Sequence, residues 1–240
     1  MFPTLGLHEL QFARIARQQC YEGELENTFD WPSLAEIPEP DLVRCLLADP
    51  YWRSFISGLY GMPASPLLLR EVSLAGAPGN VAGEVDILLC SADRPDFATA
   101  IEVKRVKLGA EAIRSGRPNK LQEVKKGIQQ ANKLAAVGFA QVYLYVLVVA
   151  DTREQNFGKK SYEGPSIKLR SIVDGAISVL GLEPRVGLCK WDFVQPMDYE
   201  PLGLGTSGGH LIRLAQAVKQ TPELTQWIAR TVSGGQPCRS

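Results

Sequence analysis

The chain has 240 residues, with 26 acidic and 26 basic side chains, 45% apolar and 22% charged residues. That composition excludes a largely disordered, collagen-like or coiled-coil chain, and no run approaches the ~18 apolar residues of a membrane-spanning helix. A formal net charge of zero also argues against a protein that coats nucleic acid indiscriminately.

In chain order, residues 4–20 place Leu7, Leu10, Phe12, Ile15 and Ala16 at near-helical spacing. The opening MFPTLGLHEL has no basic stretch ahead of an apolar one, so no secretory signal is expected and the cytoplasm is the expected location. Residues 21–40 are acidic and Pro-rich and predict a loop with at most a short turn. Asp41 is the expected N-cap of a helix from Leu42 to about Tyr60, ended by Gly61 and Pro63. Together, 1–65 read as a helical N-terminal layer.

The periodicity then changes to that of strands. Leu67–Leu74, Val81–Cys90 and Ala98–Lys104 predict three strands, the last two joined by the short turn SADRPDF as an antiparallel hairpin. Pro118–Val137 predicts a helix with Leu121, Val124, Ile128, Ala131 and Leu134 on one stripe, ended by Gly138. Gln141–Ala150 is almost continuously apolar and predicts a central strand covered on both faces, with Tyr143 and Tyr145 in the core. A strand–helix–strand crossover makes this strand parallel to the third. A polar loop, a helix from Ser166 to Leu180, a strand Val186–Phe193, a Gly-rich loop and a helix from His210 to about Val232 complete the reading. The whole of 1–240 is expected to be one domain, with 66–150 as its core and 151–240 as a helix–strand–helix extension.

Few residues are available for thiol, zinc or histidine chemistry. The five cysteines are scattered with no CxxC pair, and His8 and His210 are the only histidines. Free thiols in a reducing compartment are expected, and a zinc site has almost no ligands. A Ser-His-Asp or Cys-His hydrolase would need one of those histidines, and no GxSxG elbow occurs. Gly203–Gly208 fits GxGxxG, but no strand runs directly into it, so a dinucleotide site is not expected.

Carboxylates carry the informative pattern. In the second strand, Val85, Ile87 and Leu89 alternate with Glu84 and Asp86; in the third, Ile101 and Val103 alternate with Glu102 and Lys104. Pairing brings Glu84, Asp86, Glu102 and Lys104 onto one face. Three acids against one lysine repel one another unless a cation compensates them. Oxygen ligands with room for water suit Mg²⁺ or Mn²⁺.

At these residues the chain resembles the PD-(D/E)XK nuclease superfamily. Asp86 matches the metal-binding Asp of one strand, and Glu102-Val103-Lys104 matches the (Asp/Glu)-x-Lys of the next. The phrases GEVDILL and AIEVKRVK are similar to restriction-type and Holliday-junction-resolvase-like members. The resemblance spans about residues 67–150. It implies an α/β restriction-endonuclease-like core, with a mixed sheet flanked by helices and helical additions at both ends. It implies Asp86, Glu102 and the Val103 carbonyl as ligands of Mg²⁺ or Mn²⁺, with Lys104 orienting or deprotonating the attacking water or stabilising charge on the phosphate. Glu84 is the candidate for a second metal or a metal-bound water. An acid from the helix before the sheet often joins such sites, and Glu9, Asp41 and Asp49 are the candidates.

The expected partner is nucleic acid, DNA ahead of RNA. Residues 1–101 carry a net charge of −8, 102–133 of +6 and 134–240 of +2. The basic segment holds Lys107, Arg114, Arg117, Lys120, Lys125 and Lys126 directly after the signature lysine, where phosphate contacts need charge. Gln129 and Gln130 lie in the same helix, where some nucleases of this superfamily place a Gln that supports the lysine or the phosphate. The expected activity is metal-dependent phosphodiester hydrolysis. The alternatives are a non-cutting binding or regulatory protein on the same fold, and an effector nuclease of a restriction or anti-phage system. Without a target-recognition domain, a homo-oligomer or partner subunit is expected, and no membrane.

Overall fold

The computed structural model describes residues 34–48, 67–79, 81–118, 121–157, 163–178, 181–195 and 207–234. The helix expected over residues 4–20 lies outside them, as does the continuation of the next helix towards Tyr60. A 3-10 turn, Leu34–Glu36, leads into α1, Glu39–Ala48. This helix starts earlier than expected, and Asp41 lies within its first turn instead of capping it. Pro38 contributes the carbonyl that accepts from Leu42 N at 2.9 Å, and Pro40 is tolerated because first-turn N–H groups have no helical partner. Glu39 and Asp41 suit the positive end of the helix dipole.

Six strands form one mixed sheet in the order β1–β2–β3–β4–β5–β6. They are β1 Leu67–Ser73, β2 Glu84–Ser91, β3 Arg94–Leu108, β4 Gln141–Asp151, β5 Gly187–Gln195 and β6 Ser207–Arg213. The β2–β3 hairpin is antiparallel, and β3–β4 and β4–β5 are parallel. The helix α2, Ala110–Ser115, and the long α3, Leu121–Val137, make the crossover from β3 to β4. The chain then forms α4, Arg153–Asn156, and α5, Ile167–Ala176, where Ser166 Oγ accepts from Leu169 N at 3.3 Å.

Residues after 151 add two strands to the same sheet, where one was expected. The helix expected from His210 is instead β6, paired antiparallel with β5, followed by α6 at Pro222–Gly234. Leu211, Leu214, Ala215 and Val218 imitate a helical stripe, yet Leu211, Leu214 and Val218 are exposed. The helix boundary is local: Thr221 Oγ1 accepts from Leu224 N at 3.2 Å, and Pro222 follows this cap. Gly208 thus belongs to a strand, and Gly203–Thr206 lie outside the described residues.

The sheet is covered on both faces. On one, α3, α5 and α6 pack Val124, Leu134, Val173, Leu224 and Trp227 over Ala98, Ala100, Val106, Leu144 and Val146. On the other, α1 and the 3-10 turn pack Ile37, Leu42 and Leu46 over Ile101, Val103, Tyr143, Tyr145 and Trp191. β4 is accordingly buried along nearly its whole length. Gln220 pins the far end of β3 from inside: its Oε1 accepts from Ala98 N at 2.6 Å, and its Nε2 donates to Pro95 O at 2.9 Å. No helix among the described residues is long and apolar enough to cross a membrane.

Candidate metal centre

The candidate site begins where the β2–β3 ladder stops. The two strands pair from Ser91↔Arg94 to Ile87↔Ile101. Beyond that point β2 continues to Glu84 against β1, while β3 continues to Leu108 against β4. Side chains occupy the gap. Asp86 Oδ2 accepts from Val103 N at 2.6 Å, and Glu39 Oε2, from the start of α1, accepts from Arg105 N at 2.5 Å. Two carboxylates thus cap N–H groups that a longer β2 ladder would have served, satisfying the backbone's need for partners.

Alternation along β3 sets which side chains meet in the gap. Ala98, Ala100, Val106 and Leu108 lie on the α3 face with Glu102 and Lys104 between them. Glu102 is 1% exposed and Lys104 8%. Lys104 Nζ donates to Val103 O at 2.8 Å and stands 2.5 Å from Glu102 Oε1, 3.7 Å from Glu39 Oε1 and 3.9 Å from Asp86 Oδ2. Asp86, Glu102, Val103 and Lys104 are therefore brought together. Glu84 is exposed at the rim and does not pair with Lys104.

Burial and crowding govern the ionisation. Burial and the charge of Asp86 push Glu102 up to about 7, and the Lys104 ammonium opposes this only in part. Burial also raises Asp86, against Lys104 and the Val103 N–H, with Glu39 and Glu84 adding to the rise. For Lys104, burial favours the neutral form, but Glu102 and Asp86 outweigh it and the pKa is raised. One ammonium serves several carboxylates, so the cluster is short of positive charge.

Among the described residues, no group of three or more His, Cys, Asp or Glu side chains is gathered as a ready-made metal cage. Besides Glu39, which is held by Arg105 N, the gap offers the carboxylates of Asp86 and Glu102 and the Val103 carbonyl. Glu102 Oε1 is enclosed and faces the Lys104 ammonium at 2.5 Å, out of good hydrogen-bond alignment. A cation that keeps several waters and takes one or two carboxylates fits this donor set, which is the habit of Mg²⁺ and not of a fully protein-caged ion.

A cavity of about 180 Å³ opens beside the gap, lined by residues that include Glu39, Arg70, Glu71, Glu84, Asp86, Lys104 and Gln130. Glu71, opposite Asp86, has φ 49° and is the one non-glycine at positive φ among the described residues. The β1–β2 ladder skips this position between Arg70↔Ile87 and Val72↔Val85.

Two contributors escape a reading of the sequence. Glu39, at the start of the preceding helix, is the acid that reaches the gap, accepting from Arg105 N and standing 3.7 Å from Lys104 Nζ; Asp41 instead pairs with Arg44 at 3.0 Å, and Glu9 and Asp49 lie outside the described residues. The available signal is an acid at the start of the last helix before the sheet, in IPEPD. Gly127 is the other. A Cβ there would lie 2.5 Å from Lys104 Cγ and 3.0 Å from Leu144 Cδ1, so the glycine lets α3 pass directly over the lysine stem. A glycine inside a strong helical pattern is its signal.

Among the described residues, the basic side chains of the 102–133 segment do not form one surface. Lys107 lies on the face opposite Lys104 and pairs with Glu36. Arg114 pairs with Glu111 at 3.2 Å and lies 3.7 Å from Glu154, and Lys126 pairs with Glu123 at 2.9 Å. Arg117, Lys125, Gln129 and Gln130 are exposed, and Gln130 lines the cavity. Lys120 lies outside the described residues. The exposed His210 sits in β6, with Nε2 3.7 Å from Asp192 Oδ2 and far in the sheet order from the gap. Cys90 and Cys189 are buried, and burial pushes their thiols up to about 11 and about 12, which suits packing and not nucleophilic attack.

Neither a scan against protein-family models nor a search of curated proteins returns a match for this chain.

Proposed function

We propose that this protein is a Mg²⁺- or Mn²⁺-dependent nuclease of restriction-endonuclease-like fold, hydrolysing phosphodiester bonds in DNA. The observation that carries this reading is the opened β2–β3 hairpin, in which Asp86, Glu102, the Val103 carbonyl and Lys104 meet beneath α3. The order helix, three antiparallel strands, helix, parallel strand supports it as well.

Asp86, Glu102 and the Val103 carbonyl hold the cation. When bound, such an ion polarises a phosphate oxygen and lowers the pKa of a coordinated water. Lys104 supplies a positive charge near the phosphate as negative charge grows on it, in a site where burial strengthens that interaction. Glu39 keeps the gap open by holding Arg105 N. Arg117, Lys125 and Gln129 on the outer surface contact the nucleic-acid backbone, and Gln130 reaches the cavity. With a formal net charge of zero, the isolated chain binds weakly, and oligomerisation or a partner subunit supplies the remaining contacts.

The test is a cleavage assay with Mg²⁺ or Mn²⁺ on linear, circular, single-stranded and branched DNA, comparing wild type with Asp86→Asn. Metal-dependent cleavage that is largely abolished in the variant, with an unchanged circular-dichroism spectrum, is the expected result. Equal activity in both proteins removes Asp86 from the site. Failure of the wild type to cut any substrate with either ion favours a non-cutting protein on the same fold.

A further inference from the structure

We propose that the Lys104 ammonium is a built-in counter-cation standing in the place of the divalent ion, so that the site takes up metal by exchanging one cation for another. The inference rests on the metal reading of the gap. It adds that Lys104 competes with the ion in the free protein, whatever it does in the reaction.

The positions of the oxygens carry it. Lys104 Nζ bonds to Val103 O at 2.8 Å and lies 2.5 Å from Glu102 Oε1 and 3.9 Å from Asp86 Oδ2. These are the three groups assigned to the ion, and a single positive charge sits among all of them. A lysine serving only to orient a water would leave the lone pairs of the ligands free. Here the ammonium occupies one of those of Val103 O. Like charges cannot share this space, so an ion that takes the Val103 carbonyl must displace the ammonium.

The surroundings favour one lysine position. The stem runs beneath α3, where an added Cβ at Gly127 would lie 2.5 Å from Lys104 Cγ. Glu39 Oε1, 3.7 Å from Nζ, lies on the side of the cavity and offers the displaced ammonium a partner. Metal-free protein therefore avoids an uncompensated carboxylate cluster, which would otherwise be costly to bury. The same contacts lower its apparent affinity for metal.

Mn²⁺ titration by calorimetry or electron paramagnetic resonance tests the exchange without any cleavage assay. Lys104→Met keeps the stem and removes the charge. Lys104→Gln is neutral and still able to donate to the Val103 carbonyl, and serves if the methionine variant does not fold. Both variants are expected to bind Mn²⁺ at least tenfold more tightly than wild type, and to gain more thermal stability from Mn²⁺ than wild type does. Mn²⁺ affinity in the folded variants equal to or weaker than that of wild type overturns the exchange while leaving the metal site standing. Failure of wild type and variants alike to bind millimolar Mn²⁺ overturns the exchange and the metal reading together.

Discussion

Along its β4 edge, β3 is paired residue for residue from Thr99 to Leu108. Along its β2 edge, the ladder ends at Ile101, and the next N–H groups are taken by Asp86 and Glu39. The same strand thus has one edge finished by backbone and one by carboxylates. The first belongs to the core: Leu144, Val146 and Val148 are buried and apolar. The second gathers groups that repel one another. A sheet can hold such a cluster because the parallel half supplies the packing while the opened hairpin supplies the room.

The largest expected effect separates the two edges by stability. Leu144 is fully buried in β4 beneath α3, and Leu144→Ala is expected to cost about 2–5 kcal/mol in denaturant unfolding. Asp86→Asn should lie within about 1 kcal/mol of wild type, or above it, when no divalent ion is present. Asparagine retains an oxygen to accept from Val103 N and relieves the repulsion with Glu102. A loss on Asp86→Asn as large as that of Leu144→Ala would show that this carboxylate is as structural as the core.

pH offers the next contrast. Glu102 has a folded-state pKa of about 7 against an ordinary 4.5, so between those values the folded protein binds more protons than the unfolded. Its contribution to stability therefore falls as pH rises through that window. Metal-free protein should gain stability from this group between pH 8 and pH 5, by at most about 3 kcal/mol. Thermal melts of Glu102→Gln should show a flatter profile over the same range. An identical profile in the variant would remove Glu102 as the source.

The smallest effect concerns the helix above the site. Gly→Ala inside a helix ordinarily gains about 1 kcal/mol. Gly127→Ala should forfeit that gain, because the new methyl meets the Lys104 stem. On a Lys104→Ala background part of the gain should return, since only the Leu144 contact remains. A double-mutant cycle by chemical unfolding reads the coupling directly, and strictly additive effects would show that the helix and the lysine are independent.

Much of this architecture was legible beforehand because its causes are local. Alternation marks AIEVK as a strand and holds in β2 from Ile87 onward, but it breaks at Asp86, so that Val85 packs with Leu88 and Cys90 and not with Ile87 and Leu89; the apolar run of β4 marks a strand buried on both faces, and a stripe ending at Gly138 marks α3. Where reading failed, two local patterns were compatible. Leu211, Leu214, Ala215 and Val218 have helical spacing, but the open edge of β5 recruits Ser207–Arg213 as a strand, and pairing overrides periodicity. The length of β3 beyond Lys104 was likewise hidden, because polar Arg105 and Lys107 interrupt the apolar pattern: the Arg105 guanidinium donates to Ala35 O and Lys107 pairs with Glu36.

By itself, the sequence determined the order of the main elements as far as β5 and the presence of Asp86, Glu102 and Lys104 on neighbouring strands, since strand patterns are written locally. Tertiary structure decided that β2 and β3 separate at Ile87 and Ile101, that Glu39 reaches across from α1, and that Gly127 admits the lysine stem. It also decided which basic side chains remain exposed and which are spent on Glu36, Glu111 and Glu123. These outcomes depend on groups distant in the chain competing for the same hydrogen bonds and the same volume, and spacing along a sequence carries no record of that competition.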